Sequence, residues 1–181
     1  MGKVIIFNGS PRKKGTTAAL LDEIAAGARA SGAEVVEYDL NDTGLRGCQG
    51  CRACRKEDAE ACIQNDYFKP MYKELKEAVG IVLGAPIYMG TVTAQAWVLI
   101  NRLYPAIDHN HAPRFPGKKF AVVTTQGNPD ANLFRAGVEA VQGFLKRLGW
   151  ELVGDIGWAS AGGEPSDELK KQAFEAGQRL V

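Results

Sequence analysis

The chain has 181 residues, 22 Lys and Arg against 21 Asp and Glu for a formal charge of +1, and is 45% hydrophobic and 24% charged. That composition suits one globular domain with a sizeable core and excludes disordered or low-complexity chains. Near-neutral charge argues against a dedicated nucleic-acid binder, and no apolar run reaches the roughly 20 residues of a membrane span.

Residues 4–7 (Val4, Ile5, Ile6, Phe7) form a short apolar run, the pattern of a strand covered on both faces. It breaks at Asn8-Gly9-Ser10-Pro11, with no signal-peptide pattern, so a cytoplasmic protein is expected. A helical pattern begins near Thr17 and ends at Ser31-Gly32. Residues 34–40 read as a second strand, 41–65 as a long loop, and 67–78 as a helix. Residues 80–85 are a buried strand that stops at Pro86, followed by a helix over 93–103 and a polar loop to Pro116. Residues 119–125 read as the fourth strand, 132–148 as a helix, 151–159 as the fifth strand and 166–181 as a closing helix. Alternating strands and helices imply parallel βαβ units with right-handed crossovers. The expectation is α/β: a doubly wound, five-stranded parallel sheet with flavodoxin-like order 2-1-3-4-5 and helices on both faces. All 181 residues are assigned to one domain.

Ligands of open α/β sheets sit beyond the carboxyl ends of the strands, where strand order reverses. Three loops are directed there. The first, 8–17, combines Ser10, Arg12, Gly15, Thr16 and Thr17 and leads into a helix N-terminus, which favours an anion. It lacks GxGxxG and GxxxxGK[ST] fingerprints, and a plain strand–helix turn with a Thr cap is the competing explanation. The second holds Pro86, Ile87, Tyr88, Met89 and Gly90, an apolar wall for a flat heteroaromatic ligand or simply core packing. The third holds Thr125, Gln126 and Gly127, whose polar groups could bond a ring edge.

These three segments together resemble the superfamily of NADPH-dependent FMN reductases and iron–sulfur flavoproteins. The resemblance spans nearly the whole chain and implies an FMN-binding flavodoxin-like fold. Ser10, Arg12, Gly15, Thr16 and Thr17 would take the phosphate; Pro86, Ile87, Tyr88, Met89, Gly90, Thr125, Gln126 and Gly127 would take the ring. Two positions depart from the family pattern: Thr16-Thr17 stands where Asn-Thr is common, and Trp97 with Asn101-Arg102 stands where Lys and Asp-Arg are frequent.

All four cysteines fall within 15 residues: Cys48, Cys51, Cys54 and Cys62. Thiolates ligate Fe–S clusters and zinc; the C-x2-C-x2-C opening favours [4Fe–4S] over zinc's two separated C-x2-C pairs. Zinc, a redox-active disulfide and functionless thiols are the alternatives. The iron–sulfur flavoproteins carry such a motif after strand 2. Arg46, Arg52, Arg55 and Lys56 read as a solvated basic rim, His109 and His111 as a solvated loop pair, and Trp97, Trp150 and Trp158 as core or interface residues. The resemblance implies FMN exchanging electrons with a [4Fe–4S] cluster, a ferredoxin-like or NAD(P)H donor, and a homodimer or homotetramer. An NAD(P)H-dependent FMN or quinone reductase without a cluster, or a zinc/thiol switch, are the alternatives.

Overall fold

A computed structural model describes residues 2–59, 61–160 and 162–181. Among them run β1 (Lys3–Asn8), α1 (Thr16–Ala30), β2 (Glu34–Asp39), α2 (Phe68–Glu77), β3 (Gly80–Tyr88) and β4 (Thr91–Val92). Then come α3 (Ala94–Arg102), β5 (Lys119–Gln126), α4 (Arg135–Arg147), β6 (Glu151–Ala159) and α5 (Asp167–Arg179). The sheet runs β2-β1-β3-β5-β6, all parallel, and β4 pairs antiparallel with β3. The order of the five parallel strands is the expected one, and the count is corrected by the two-residue β4. So short a strand carries no periodicity to read. No described helix is long and apolar enough to cross a membrane.

The strands alternate sides, so each supplies two cores. Ile5, Phe7, Ile81, Leu83, Phe120 and Val122 face α2, α3 and α4 in one cluster. Val4, Ile6, Val82, Ala121 and Val123 face α1 and α5 in the other. The α1–α5 contact is backbone to backbone: a Cβ on Gly27 would overlap the Phe174 carbonyl oxygen, and one on Gly177 that of Ile24.

β3 does not stop at Pro86 but continues to Tyr88, with Pro86 opposite Thr125 of β5. The pairing with β1 ends at Asn8–Gly84. Pro86 therefore lies past the end of β1, where its missing N–H removes no bond to that neighbour. Strand β3 overhangs the switch point between β1 and β3, and this overhang forms one wall of the cleft. The described residues of 43–59 and 61–67 are irregular apart from a 3-10 turn at Ala53–Arg55.

Candidate functional site

Beyond the carboxyl ends of β1, β3, β5 and β6 lies a cleft of about 340 Å³. Ser10, Arg12, Gly15, Thr16, Thr17, Pro86, Ile87, Tyr88, Thr125, Gln126 and Gly127 all line it, so eleven of the thirteen expected flavin-site residues converge there. The first loop is held open by local bonds. Asp39 accepts from the Asn8 amide at 2.9 Å, which orients Asn8 to accept the Ser10 N–H at 3.0 Å. Ser10, 4% exposed, accepts the Arg12 N–H through its hydroxyl at 3.1 Å. The buried Thr17 and Thr125 hydroxyls bond each other at 2.8 Å, tying the first loop to the third. Thr93 donates to the Gly9 carbonyl at 2.6 Å and ties the first loop to the start of α3.

Helix α1 opens at Gly15 with no side-chain cap and no acidic residue in its first turn. Its first N–H groups thus present unshared donors and the positive dipole end to the cleft. Arg12 adds a cation. This is the donor set a phosphate requires, and a cleft above 300 Å³ with an Ile87–Tyr88 wall suits a flat ring.

Met89 and Gly90 do not line the cleft. Both have positive φ, 51° and 88°, and form the two-residue turn joining β3 to β4. That geometry is a type I′ turn, which turns the Met89 side chain wholly into solvent. Ser160, Gly162 and Gly163 line the cleft without having been singled out, and Trp158, expected in the core or an interface, lines it too. Ser160-x-Gly162-Gly163 directly follows a strand's carboxyl end, the signal that would have found it. Trp158, half-buried, packs against the α1/α5 core cluster and also lines the cleft.

Cys48, Cys51, Cys54 and Cys62 line a second, narrow recess of about 20 Å³, with Gln64, Asn101, Arg102 and Tyr104. All are free thiols; Cys48 and Cys51 are exposed and Cys54 is buried. Burial pushes the Cys54 thiol above its ordinary range, and the neighbouring Cys62, Cys48 and Cys51 push the same way. Among the described residues no three His, Cys, Asp or Glu side chains stand close enough to hold one metal ion. A cubane places each thiolate on a different iron and so needs a wider cage than zinc. Cys48 and Cys51 are exposed, and Cys51 stands between Gly50 at φ 64° and Arg52 at φ 57°.

The recess is backed by Arg102, the last residue of α3 and 1% exposed. Its guanidinium donates to Asp66 at 2.5 and 2.9 Å, to the Arg46 carbonyl at 2.7 Å and to Cys62 Sγ at 3.4 Å. The Arg102 hydrogen bonds hold the Asp66 carboxyl below the usual carboxylate range. Arg102 Nε and Gln64 Oε1 are buried without a partner. A four-thiolate donor set with an orphaned cationic donor fits an anionic cluster. Of the expected basic rim, Arg55 is half-buried: it donates to the Ile107 carbonyl at 2.8 Å and stacks over Tyr104 at 5.0 Å. His109 and His111 are exposed, as expected.

The family profile described as NADPH-dependent FMN reductase matches residues 2–162. An iron–sulfur flavoprotein of Archaeoglobus fulgidus is 28% identical over 99% of this chain and 79% of its own length. Another, of Methanocaldococcus jannaschii, is 39% identical over 57% of this chain and 52% of its own, so the match spans about half of that relative. Among solved structures, the NAD(P)H:quinone oxidoreductase of Methanothermobacter marburgensis superposes with a TM-score of 0.74 at 15% identity, covering 99% of this chain and 96% of that one. That likeness is one of fold.

Proposed function

The chain belongs to the NADPH-dependent FMN reductase family of flavin-dependent oxidoreductases, and we propose that it works as an iron–sulfur flavoprotein. In this proposal FMN occupies the cleft, and Cys48, Cys51, Cys54 and Cys62 hold a [4Fe–4S] cluster in the recess. The observation that carries it is the gathering of all four thiols around one recess with an unsatisfied guanidinium donor. The iron–sulfur flavoprotein names of the two archaeal relatives support it.

Ser10, Arg12, Gly15, Thr16 and Thr17 would bind the flavin phosphate through N–H groups, hydroxyls and a cation. Pro86, Ile87 and Tyr88 would cover the ring and exclude water, while Thr125, Gln126 and Gly127 bond its polar edge. The Met89–Gly90 turn would frame the ring's outer end by its backbone alone. Bound FMN supplies a centre that accepts two electrons and releases them singly. Transfer of that kind requires no protein acid or base, and we assign none. A ferredoxin-like protein or NAD(P)H would supply the electrons, and the free thiols suit the reducing cytoplasm. We further propose a homodimer or homotetramer, with the exposed Tyr88, Met89 and Leu133 as contact surface.

The narrowness of the recess favours a second reading, an NAD(P)H-dependent FMN or quinone reductase without a cluster. Anaerobic reconstitution with iron, sulfide and FMN separates the two. The first reading expects a brown protein with about four irons per chain that falls on Cys→Ser substitution at any of the four positions. A yellow, iron-free flavoprotein that oxidises NADPH overturns it in favour of the second.

A further inference from the structure

We infer that Arg102 is a positioning residue that raises the reduction potential of the cluster by donating a hydrogen bond to the Cys62 thiolate. This rests on the cluster proposed above. Arg102 is among the largest fully buried side chains of the protein, and a charge so deep in the fold requires a specific set of partners. Four of its five N–H groups are accounted for. Nη1 serves the Arg46 carbonyl and one Asp66 oxygen; Nη2 serves the other Asp66 oxygen and Cys62 Sγ. The guanidinium also lies 4.6 Å from the centre of the Phe68 ring, which fixes its plane.

The Asp66 pair and the Arg46 carbonyl are enough to anchor the loop. The bond to sulfur adds nothing to that anchoring, and the fifth donor, Nε, is left buried with no acceptor beside the thiol recess. The Nη2 bond is directed at sulfur, and Nε leaves a buried cationic donor in the wall of the recess. Reduction adds one electron to the cluster–thiolate unit and makes it one unit more negative. The guanidinium stays protonated in both states, so no proton moves at Arg102. A donor and a positive charge on a ligating sulfur stabilise the more negative state more, and the potential rises. Lysine keeps the charge but cannot fork between a carboxylate, a carbonyl and a sulfur. Asp66 opposes the effect, because its carboxylate offsets the guanidinium charge.

The test is an anaerobic, EPR-monitored redox titration of reconstituted, FMN-loaded wild type, Arg102→Lys, Arg102→Gln and Asp66→Asn, with iron content measured in each. Arg102→Gln is expected to lower the cluster potential by the equivalent of about tenfold in the one-electron equilibrium, ~59 mV. Arg102→Lys should fall between it and wild type, and Asp66→Asn should shift the potential upward. If Arg102→Gln fails to hold iron, the Lys and Asn variants decide by the sign of their shifts. Full iron content with unchanged potentials in the Arg102 variants, or a downward shift in Asp66→Asn, overturns the inference. A wild type that takes up no iron overturns the cluster instead.

Discussion

The contact between α1 and α5 permits a quantitative test with one chemical change made at two places. Gly177 lies against α1, where an added Cβ would overlap the Ile24 carbonyl oxygen and sit 2.9 Å from both the Ile24 carbonyl carbon and the Ala28 nitrogen. Ordinary contact begins at 3.4 Å and the Ile24 oxygen would lie at 2.1 Å, so Gly177→Ala forces the backbones to give by about an ångström. The interface being opened is built of Ile24, Ala25, Ala28, Ala173 and Ala176, all at most 1% exposed. Overpacking costs about 1–3 kcal/mol, and an overlap this deep belongs at the upper end, about 2–3 kcal/mol, against which the gain in helix propensity is at most ~1 kcal/mol. With about 2–4 °C per kcal/mol for a chain of this size, the melting temperature should fall by roughly 2–8 °C. Gly143, inside α4, has open space where its Cβ would be. There only the propensity gain of ~0.5–1 kcal/mol remains, and Gly143→Ala should raise the melting temperature by roughly 1–4 °C. Thermal unfolding followed by far-UV circular dichroism, on flavin-free protein so that ligand linkage does not contribute, reads both. Shifts of the same sign, or a Gly177→Ala variant as stable as wild type, would refute the backbone-to-backbone packing.

Thr17→Val keeps the shape of the side chain but removes the 2.8 Å bond to Thr125 and a phosphate donor. A loss of about 1–3 kcal/mol predicts FMN binding weakened roughly tenfold to a hundredfold, read by quenching of flavin fluorescence; an unchanged Kd would contradict the assigned cradle. Met89→Asn places Asn-Gly in the type I′ turn and relieves a left-handed non-glycine residue, so stability should rise by about 1 kcal/mol with FMN affinity unaltered in the monomer. A drop in affinity there would mean that the side chain does reach the ring. Asp66 has a folded-state pKa held below its unfolded value by Arg102. Its contribution is therefore fully present above about pH 4 and lost as pH falls through the lower folded value. The stability difference between wild type and Asp66→Asn, from urea titrations of the iron-free protein, should be flat from neutral pH to about 5 and shrink at lower pH. A difference that widens on acidification would falsify the ion pair's role.

The central strands β1, β3 and β5 were legible because burial on both faces leaves apolar runs, and the switch point then follows from strand order. The Met89–Gly90 turn misled because side-chain chemistry was read without backbone sign: two positive φ values send an apolar residue outward. Pro86 misled in the same way, since a proline ends a strand only where its N–H would have been used. Arg102 was hidden for a different reason. An arginine at the end of a helix ordinarily reaches water, and nothing local distinguishes one that is held by Asp66, 36 residues earlier in the chain. The long-range partner is what converts it from a surface cation into the floor of the cysteine recess.

Both sites are framed by one short element. Thr93, just before α3, fixes the Gly9 carbonyl at the cleft, and Arg102, its last residue, fixes Cys62 and Asp66 at the recess. Nine helical residues span about 14 Å. Between the ends, Trp97 donates to the Thr91 hydroxyl of β4 at 3.1 Å, and Asn101 of the recess donates back to the Trp97 carbonyl at 2.8 Å. Ala96 is fully buried against the first loop, where a Cβ on Gly9 would come within 3.1 Å of it. Helix α3 is thus packed too tightly to shift at one end alone. Trp97 and Asn101, which depart from the family pattern, lie on this strut beside Arg102, which keeps the pattern's arginine. The departures therefore fall between the contacts of Thr93 and Ala96 at the cleft and those of Arg102 at the recess, on the stretch that couples the two.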